Sequence, residues 1–365
     1  MNRVKRFFGN ILQPTLAISV ALLIGALVIL AVGEKPLEIY GVMFKGAFGS
    51  LYYMSATLTR ATPIIITGLG AAIAWNSSYM GIGGEGQMIW GGFIATLVTL
   101  YLGGPVWMVF IVAIACAIIV GGLYSIFSAY LLEKLNMSLA ITTLMLNYVA
   151  QYVTFHFVSN VFLDDTGMAR SVQTFPIKEQ FFFKQLIEGY SLHLGFIFAV
   201  LLVIGMWLFM NKTSLGYEFK MSGFNRNFSQ YGGIKSKRTM YLVLFISGAL
   251  CAIGGAFEVY GVQHKYIHGI FVSTSFAWLG LNAALISNYN PIGILVTSII
   301  LAGITTGGAA ADRSTDIPLE IAAIIQGCIT LFISAKLIIE FRRKKKKKIT
   351  IESDSKPAEL KEKEA

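Results

Sequence analysis

The chain alternates long apolar runs with shorter polar connections, a pattern typical of a protein that crosses a membrane many times. A helix needs about 20 predominantly apolar residues to span the hydrocarbon core of a bilayer, and about ten runs approach that length. We therefore predict an all-α polytopic membrane protein. Its expected transmembrane helices are 15–32, 57–75, 88–102, 106–132, 139–162, 192–210, 240–260, 270–286, 292–310 and 319–339.

The basic residues predict the orientation of these spans, because Lys and Arg resist translocation across the membrane. Arg3, Lys5 and Arg6 precede the first span, and the run RRKKKKK at 342–348 follows the last. A lysine run can also mark a nucleic-acid-binding patch. Its position directly after a span favours an anchor beside anionic lipid headgroups. With an even number of spans, both termini are expected in the cytoplasm. The predicted segments are a cytoplasmic N-terminus at 1–14, a transmembrane domain at 15–340 and a basic, then disordered, cytoplasmic tail at 341–365.

Two long polar loops separate the spans. The loop 211–239 carries six Lys or Arg residues and one acid, which predicts a cytoplasmic location. Its spaced glycines and Asn225 predict short helices separated by turns, a shape able to dock on a partner. A plain solvated loop that only sets orientation is the alternative. The loop 163–191 has three basic and four acidic residues, and this weak charge balance predicts the outer face.

Small residues are dense on several spans, since the chain contains 37 glycines. Gly91-x-x-x-Ala95 and Gly303-x-x-x-Gly307 have the spacing that lets two membrane helices approach closely. Tight packing between helices is therefore the expected role of most of the glycine.

Composition supports a membrane protein and argues against an enzyme. Hydrophobic residues make up 55% of the chain and charged residues 13%, against about 25% charged in a soluble domain; mean hydropathy is +0.67. The three cysteines have neither metal-ligand nor disulfide spacing. Gly81 to Gly86 match G-x-G-x-x-G but follow an apolar span instead of a strand, and no phosphate-binding P-loop is present. We expect no cofactor, no metal and no nucleic-acid partner, with any ATP hydrolysis on a partner chain.

A few polar side chains lie at or within the predicted spans. Glu258 is an acid inside an apolar run, which makes it a functional candidate by default. It could line a polar pathway or accept a proton, or it could be an interfacial residue paired with Lys265 or His264. Asn76, Gln87, Asn147 and Asn282 have side-chain amides at or within spans, and these could instead hydrogen-bond neighbouring helices. The candidates for a translocation pathway are Asn76, Glu85, Gln87, Asn147, Glu258 and Asn282.

Several stretches together resemble a known family. PLEIYGVMFKGAFGS at 36–50, LTRATPIIITGLGAAIAW at 58–75 and GIGGEGQMIWGG at 81–92 are similar to the permease subunits of ATP-binding-cassette importers for simple sugars and nucleosides. Family members commonly have Asn where this chain has Gly81. The basic loop resembles the family's coupling loop, with Ser222 in place of the usual Ala. The early stretches are most similar to the nucleoside branch.

The resemblance implies how such a subunit works. Its partners would be an ABC ATPase, a second permease subunit that is a related but different chain, an extracellular or periplasmic binding protein, a nucleoside or sugar, and the lipid bilayer of a bacterial cell membrane. The ATPase would push on the coupling loop, where Gly223 is expected to allow a tight turn and Asn225 to cap the following helix. The residues of the loop singled out for this role are Gly216, Lys220, Ser222, Gly223, Asn225 and Arg226.

A different class of transporter also fits the composition. An ion-gradient-driven secondary transporter of a small polar solute would use Glu258 or Glu85 to couple the solute to a proton or sodium ion. A membrane scaffold without transport is a third class, and the patterned basic loop argues against it.

Overall fold

The structure, a computed structural model, describes residues 23–27, 29–30, 33–165, 171–314, 324 and 327, with Arg226 described by its backbone alone. The predicted spans 15–32 and 319–339 lie mostly outside these residues, as do the terminal segments 1–14 and 341–365. The chain divides into a large unit, 41–311, and a small one formed by 1–40 and 312–365.

The secondary structure of the described residues is helical, with no named strand among them. The helices are α1 (Pro36–Phe48), α2 (Leu51–Asn76), α3 (Gly84–Tyr101), α4 (Val106–Leu135), α5 (Leu139–Asn160), α6 (Gly195–Lys212), α7 (Ser214–Phe224), α8 (Arg226–Tyr231), α9 (Ser236–Glu258), α10 (Ile270–Thr274), α11 (Phe276–Ile286) and α12 (Pro291–Ser314). A 3-10 turn at Glu179–Phe181 and a π-helical turn at Val259–Gln263 complete the set.

In the small unit, residues 23–27, 29 and 30 are helical, as are 324 and 327. Lys35 and Glu38 form an ion pair of 3.0 Å at the start of α1, with both side chains exposed. An exposed pair of this kind contributes little to stability.

Five of the described helices are long and apolar enough to cross a membrane: α2, α4, α6, α12, and α9 extended through the π-helical turn to Gln263. This agrees with a polytopic membrane protein. The predicted span 270–286 is instead divided, because Ser275 adopts a left-handed conformation with φ of 54° between α10 and α11. The region 33–53, between the first two predicted spans, holds α1 and the first turn of α2.

Helix α9 lies at the centre of the large unit, packed against α2, α3 and α4. Gly91 of α3 lies against the backbone of Ala252, and Gly255 of α9 lies against the backbone of Met88. Gly121 of α4 also contacts the Ala252 side chain. A side chain at any of these glycines would overlap the neighbouring helix, so the prediction of close packing at Gly91 is confirmed.

Glycines also allow two other pairs of helices to approach closely. Gly280 of α11 lies against the backbone of Gly68 and the side chain of Thr67 in α2. The Thr67 hydroxyl donates a hydrogen bond of 3.3 Å to the Phe276 carbonyl oxygen. Gly307 of α12 lies against the backbone of Met43 in α1, which confirms the close approach predicted for the second small-residue motif.

The two long polar segments contact α2 at well-separated positions. In the third turn of the helix, the Thr59 hydroxyl donates a hydrogen bond of 2.9 Å to the Ser191 carbonyl oxygen. Just after its last residue, the Ser78 hydroxyl donates one of 2.9 Å to the Gly223 carbonyl oxygen. At 1.5 Å per residue, the stretch of helix from Thr59 to Asn76 is about 26 Å long.

The segment 171–194 is fixed to the turn after α9 by backbone hydrogen bonds. Thr174 N–H donates to the Tyr266 carbonyl, and Phe183 N–H donates to the Tyr260 carbonyl, each at 3.0 Å. His193 is buried there, and its Nδ1 accepts a hydrogen bond from the Gly195 N–H at 3.1 Å. The segment 171–194 and the turn after α9 are therefore joined into one surface.

Replacing Gly91 by Val should destabilise the bundle by about 1–3 kcal/mol, because the side chain would push α3 away from α9. Gly205→Val in α6 is the matched control, since a Cβ there meets nothing within 4 Å. The measurement is the thermal unfolding midpoint of each purified variant in detergent. Equal midpoints for Gly91→Val and wild type would show that the helix contact at Gly91 is not tight.

Candidate functional site

The glycine-rich stretch between α2 and α3 is a short non-helical connection held by side chains of α5. The Ile82 N–H donates to Thr143 Oγ1 at 2.9 Å. Asn147 makes two hydrogen bonds of 2.9 Å: its Nδ2 donates to the Ile82 carbonyl, and its Oδ1 accepts from the Gly86 N–H. Asn147 is 5% exposed. Its side-chain amide therefore holds the stretch in place by pairing with backbone groups of Ile82 and Gly86.

This stretch closes one side of a cavity inside the helical bundle. Helices α2, α4, α5, α9 and α11 supply the remaining walls, and Glu85 and Gln87 of α3 line the cavity. The enclosed space holds roughly two water molecules. A solute of nucleoside or sugar size is larger than this space.

Glu85 joins two helices across the cavity. Its Oε2 accepts a hydrogen bond of 3.0 Å from the indole Nε1–H of Trp278 in α11. Trp278 also lines the cavity and is 38% exposed. Glu85 lies in the first turn of α3, where the positive end of the helix dipole favours a carboxylate. The pair combines an acceptor with a large aromatic face.

The other predicted pathway residues lie elsewhere. Asn76 ends α2 beneath α7, and Asn282 is a partly buried residue of α11; neither is a lining residue of the cavity. Glu258 is buried at the end of α9, where Gln263 Nε2 donates a hydrogen bond of 2.9 Å to its Oε1. Arg60 attracts Glu258 electrostatically. Pairing with Lys265 or His264 was one of the alternatives considered for Glu258, and the hydrogen-bond partner in the structure is Gln263.

A second candidate site is the segment containing α7 and α8, within the loop 211–239. Gly223 lies inside α7, not at a turn, and a Cβ there would overlap the Asn76 carbonyl oxygen at the end of α2. The expected reason for a glycine here was therefore wrong, since close approach to α2 is what requires it. Gly216 packs in the same way against the backbone of Met210. Both glycines attach α7 to the bundle.

The polar residues of this segment have different roles. Asn225 caps α8, its Oδ1 accepting from the backbone N–H groups of Asn227 and Phe228 at 3.1 Å, which confirms the predicted cap. Lys220 Nζ donates to Asn211 Oδ1 at 2.8 Å. Ser222 is 5% exposed, and its hydroxyl has no partner among the described residues. Arg226 is the first residue of α8.

Large aromatic side chains are exposed on α7 and α8. Phe224 is 82% exposed, Phe228 is 68% exposed and Tyr231 is 92% exposed. Tyr217 on α7 is also exposed. Exposed apolar patches on a polar background mark sites of interaction with other proteins. We call these four residues the aromatic patch.

The structure also shows features that the sequence pattern did not reveal. Trp278 lies within an apolar run and carries no charge or motif, so only its contact with Glu85 identifies it. The aromatic patch is spread over a loop whose basic residues dominate its pattern. Among the described residues, no group of three or more His, Cys, Asp or Glu side chains is placed to hold a metal ion.

A bundle that contains five helices of membrane-spanning length, with a cavity between its helices and two short helices attached at one end, fits a subunit of a membrane transporter. The family model described as "Branched-chain amino acid transport system / permease component" matches residues 53–334. The chain belongs to this permease family.

Similar proteins are permeases of ABC transporters. The guanosine ABC transporter permease protein NupP of Bacillus subtilis is 30% identical, over 94% of this chain and 99% of its own length. The nucleoside ABC transporter permease protein NupB of Lactococcus lactis is 29% identical, over 93% and 95%. The glucose ABC transporter permease protein TsgB13 of Haloferax volcanii is 26% identical, over 88% and 86%. No solved structure matches the chain.

Replacing Asn147 by Leu should loosen the glycine-rich stretch, because two buried backbone groups lose their partners. Each lost partner costs about 1–3 kcal/mol. Amide hydrogen exchange in the peptide covering 81–87 should therefore accelerate by roughly 5- to 150-fold. Asn160→Leu, in an exposed position at the end of the same helix, should leave this exchange unchanged. Unchanged exchange in Asn147→Leu would mean that the stretch is held by other contacts.

Proposed function

We propose that the chain is the permease subunit of an ABC importer and forms the translocation pathway for nucleosides, with simple sugars as the second candidate. The proposal rests on how the two short helices are attached to a helix that lines the cavity. The helix pair bearing the aromatic patch is attached by Gly223 to the end of α2, and α2 is also a wall of the cavity. A displacement of α7 therefore reaches the cavity through one rigid helix.

The proposed orientation follows from the two ends of α2. The loop 211–239 lies at the cytoplasmic end and the loop 163–191 at the outer end, in a domain of about ten transmembrane helices at 15–340 with both termini, 1–14 and 341–365, in the cytoplasm. Glu133 supports this assignment, because its Oε1 forms an ion pair of 2.7 Å with Lys237 where α4 ends and α9 begins beside the basic loop. A cluster of basic residues belongs on the cytoplasmic face.

The proposed partner at the cytoplasmic end is a separate ATPase. The aromatic patch gives apolar anchors of the kind that dominate binding energy at protein interfaces. Lys220 and Arg226 would pair with acidic residues of the ATPase, at a rim where charges set specificity more than affinity. Gly216 and Ser222 pack α7 on the bundle, and Asn225 holds α8 at its angle. The remaining partners are a second permease chain, an extracellular or periplasmic binding protein and the bacterial cell membrane.

The ion-gradient alternative has no support in the structure. Glu258, its proposed coupling residue, is buried away from the cavity and interacts with Gln263 and Arg60. Glu85 lines the cavity, but its hydrogen bond to Trp278 gives it a role in joining α3 to α11. The similar proteins are also named as ABC transporter permeases. ATP hydrolysis on the partner is therefore the proposed source of energy.

Deletion of the gene should abolish uptake of labelled nucleosides and leave ribose uptake unchanged. Uptake is measured with and without the gene, each with a panel of unlabelled competitors. The gene restored on a plasmid is the control for polar effects. Loss of ribose uptake alone would support an importer but show that its solute is a sugar instead of a nucleoside. Unchanged uptake of both would contradict the proposed solutes.

Replacing Gly223 by Ala should reduce uptake at least tenfold, and Gly223→Trp should abolish it, because any side chain displaces α7 from the end of α2. Gly232→Ala is the matched control in the same segment, where a Cβ finds its nearest atom at 3.4 Å. Uptake is compared at equal amounts of protein in the membrane. Normal uptake by Gly223→Trp would remove α7 from the mechanism.

A further inference from the structure

We propose that Glu85 and Trp278 are the solute-recognition pair of the pathway, with the indole ring stacking on a nucleobase and the carboxylate accepting hydrogen bonds from ribose hydroxyls. The inference rests on the proposed function and gives that function a specific site.

The placement of the two residues carries the inference. Both line the cavity, and they come from different walls, Glu85 from α3 and Trp278 from α11. Trp278 is the sole tryptophan among the cavity-lining residues. Most of the other lining side chains are small or aliphatic. A flat π-system beside a carboxylate is therefore the most distinctive chemistry that this cavity offers.

The chemistry of a nucleoside matches this pair. Every nucleobase has a π-face that can stack on an aromatic side chain. The affinity gained by stacking does not depend on which hydrogen-bonding groups the base carries. Ribose hydroxyls are donors, and an ionised carboxylate is an acceptor with two oxygens. Hydrogen bonds to an ionised acceptor are stronger than those between neutral groups. One residue would thus recognise the base and the other the sugar.

The hydrogen bond between the two residues joins α3 to α11. Trp278 Nε1–H donates to Glu85 Oε2 at 3.0 Å. A carboxylate that loses this donor gains from a replacement, because hydrogen bonds to charged groups are stronger than those between neutral groups. When the helices separate, solute hydroxyls replace the indole as donors to Glu85, and the ring is released to stack. The solute therefore compensates for the contact that its entry breaks.

The test uses proteoliposomes that contain the permease pair and its ATPase, supplied with a saturating amount of guanosine-loaded binding protein. The variants are Trp278→Leu, which removes the ring, and Trp278→Phe, which keeps an aromatic face but removes the N–H. Trp107→Leu is the matched control, because Trp107 is 68% exposed at the start of α4 and does not line the cavity. Guanosine uptake and ATP hydrolysis are measured on the same samples.

Stacking of one base is worth a factor of about 5 to 150, so Trp278→Leu should lower the guanosine transported per ATP hydrolysed by that factor. Trp278→Phe should stay within about threefold of wild type, since it keeps most of the stacking. Glu85→Gln should lower the ratio about tenfold, because an amide accepts hydrogen bonds more weakly than a carboxylate. Trp107→Leu should match wild type.

The outcomes separate this inference from the proposed function. Wild-type vesicles that hydrolyse ATP but take up no nucleoside would contradict the proposed function. Wild-type uptake of guanosine with an unchanged ratio in Trp278→Leu would overturn the recognition pair while leaving the importer intact. An equal loss in Trp278→Leu and Trp278→Phe would also overturn it, because the ring face would then be irrelevant. If Trp278→Leu fails to insert, Trp278→Met and Glu85→Gln decide in its place.

Discussion

The packing of α2 and α3 around the cavity depends on how the backbone of the connection between these two helices is hydrogen-bonded. A membrane protein cannot leave backbone N–H and C=O groups unpaired away from water. Where the chain leaves α2 and starts α3, helix geometry no longer pairs these groups, and the side chains of Thr143 and Asn147 replace it. This exchange lets the chain bend inside the bundle. The bend in turn sets Glu85 at the start of α3, facing the cavity.

Helix α2 connects the parts of the molecule that would act together in transport. It meets the segment 171–194 at Thr59, the cavity at Thr67 and Ala71, and α7 at Asn76. Each contact is close because one partner is a glycine or a threonine whose hydroxyl binds backbone. Such contacts transmit displacement with little slack, because packed interiors are hard to compress.

Sequence patterns could predict the helical fold, the long polar loops and the cap at Asn225, since each depends on local chemistry. They could not predict contacts between residues far apart in the chain. Gly223 was expected to form a turn, whereas in the structure it makes a close contact with the end of α2; sequence could not distinguish the two, because both favour glycine. Glu258 was an apparent pathway residue, yet Gln263 and Arg60 surround it. Trp278 gave no signal, because its partner lies 193 positions earlier.

The left-handed residue Ser275 separates α11 from α10 and leaves α11 attached chiefly to α2, through Gly280 and Thr67. Trp278 is therefore carried by the same body that meets α7 at its far end. In the proposed importer, a movement of α2 would therefore carry α11 with it and change the position of the indole relative to Glu85 of α3.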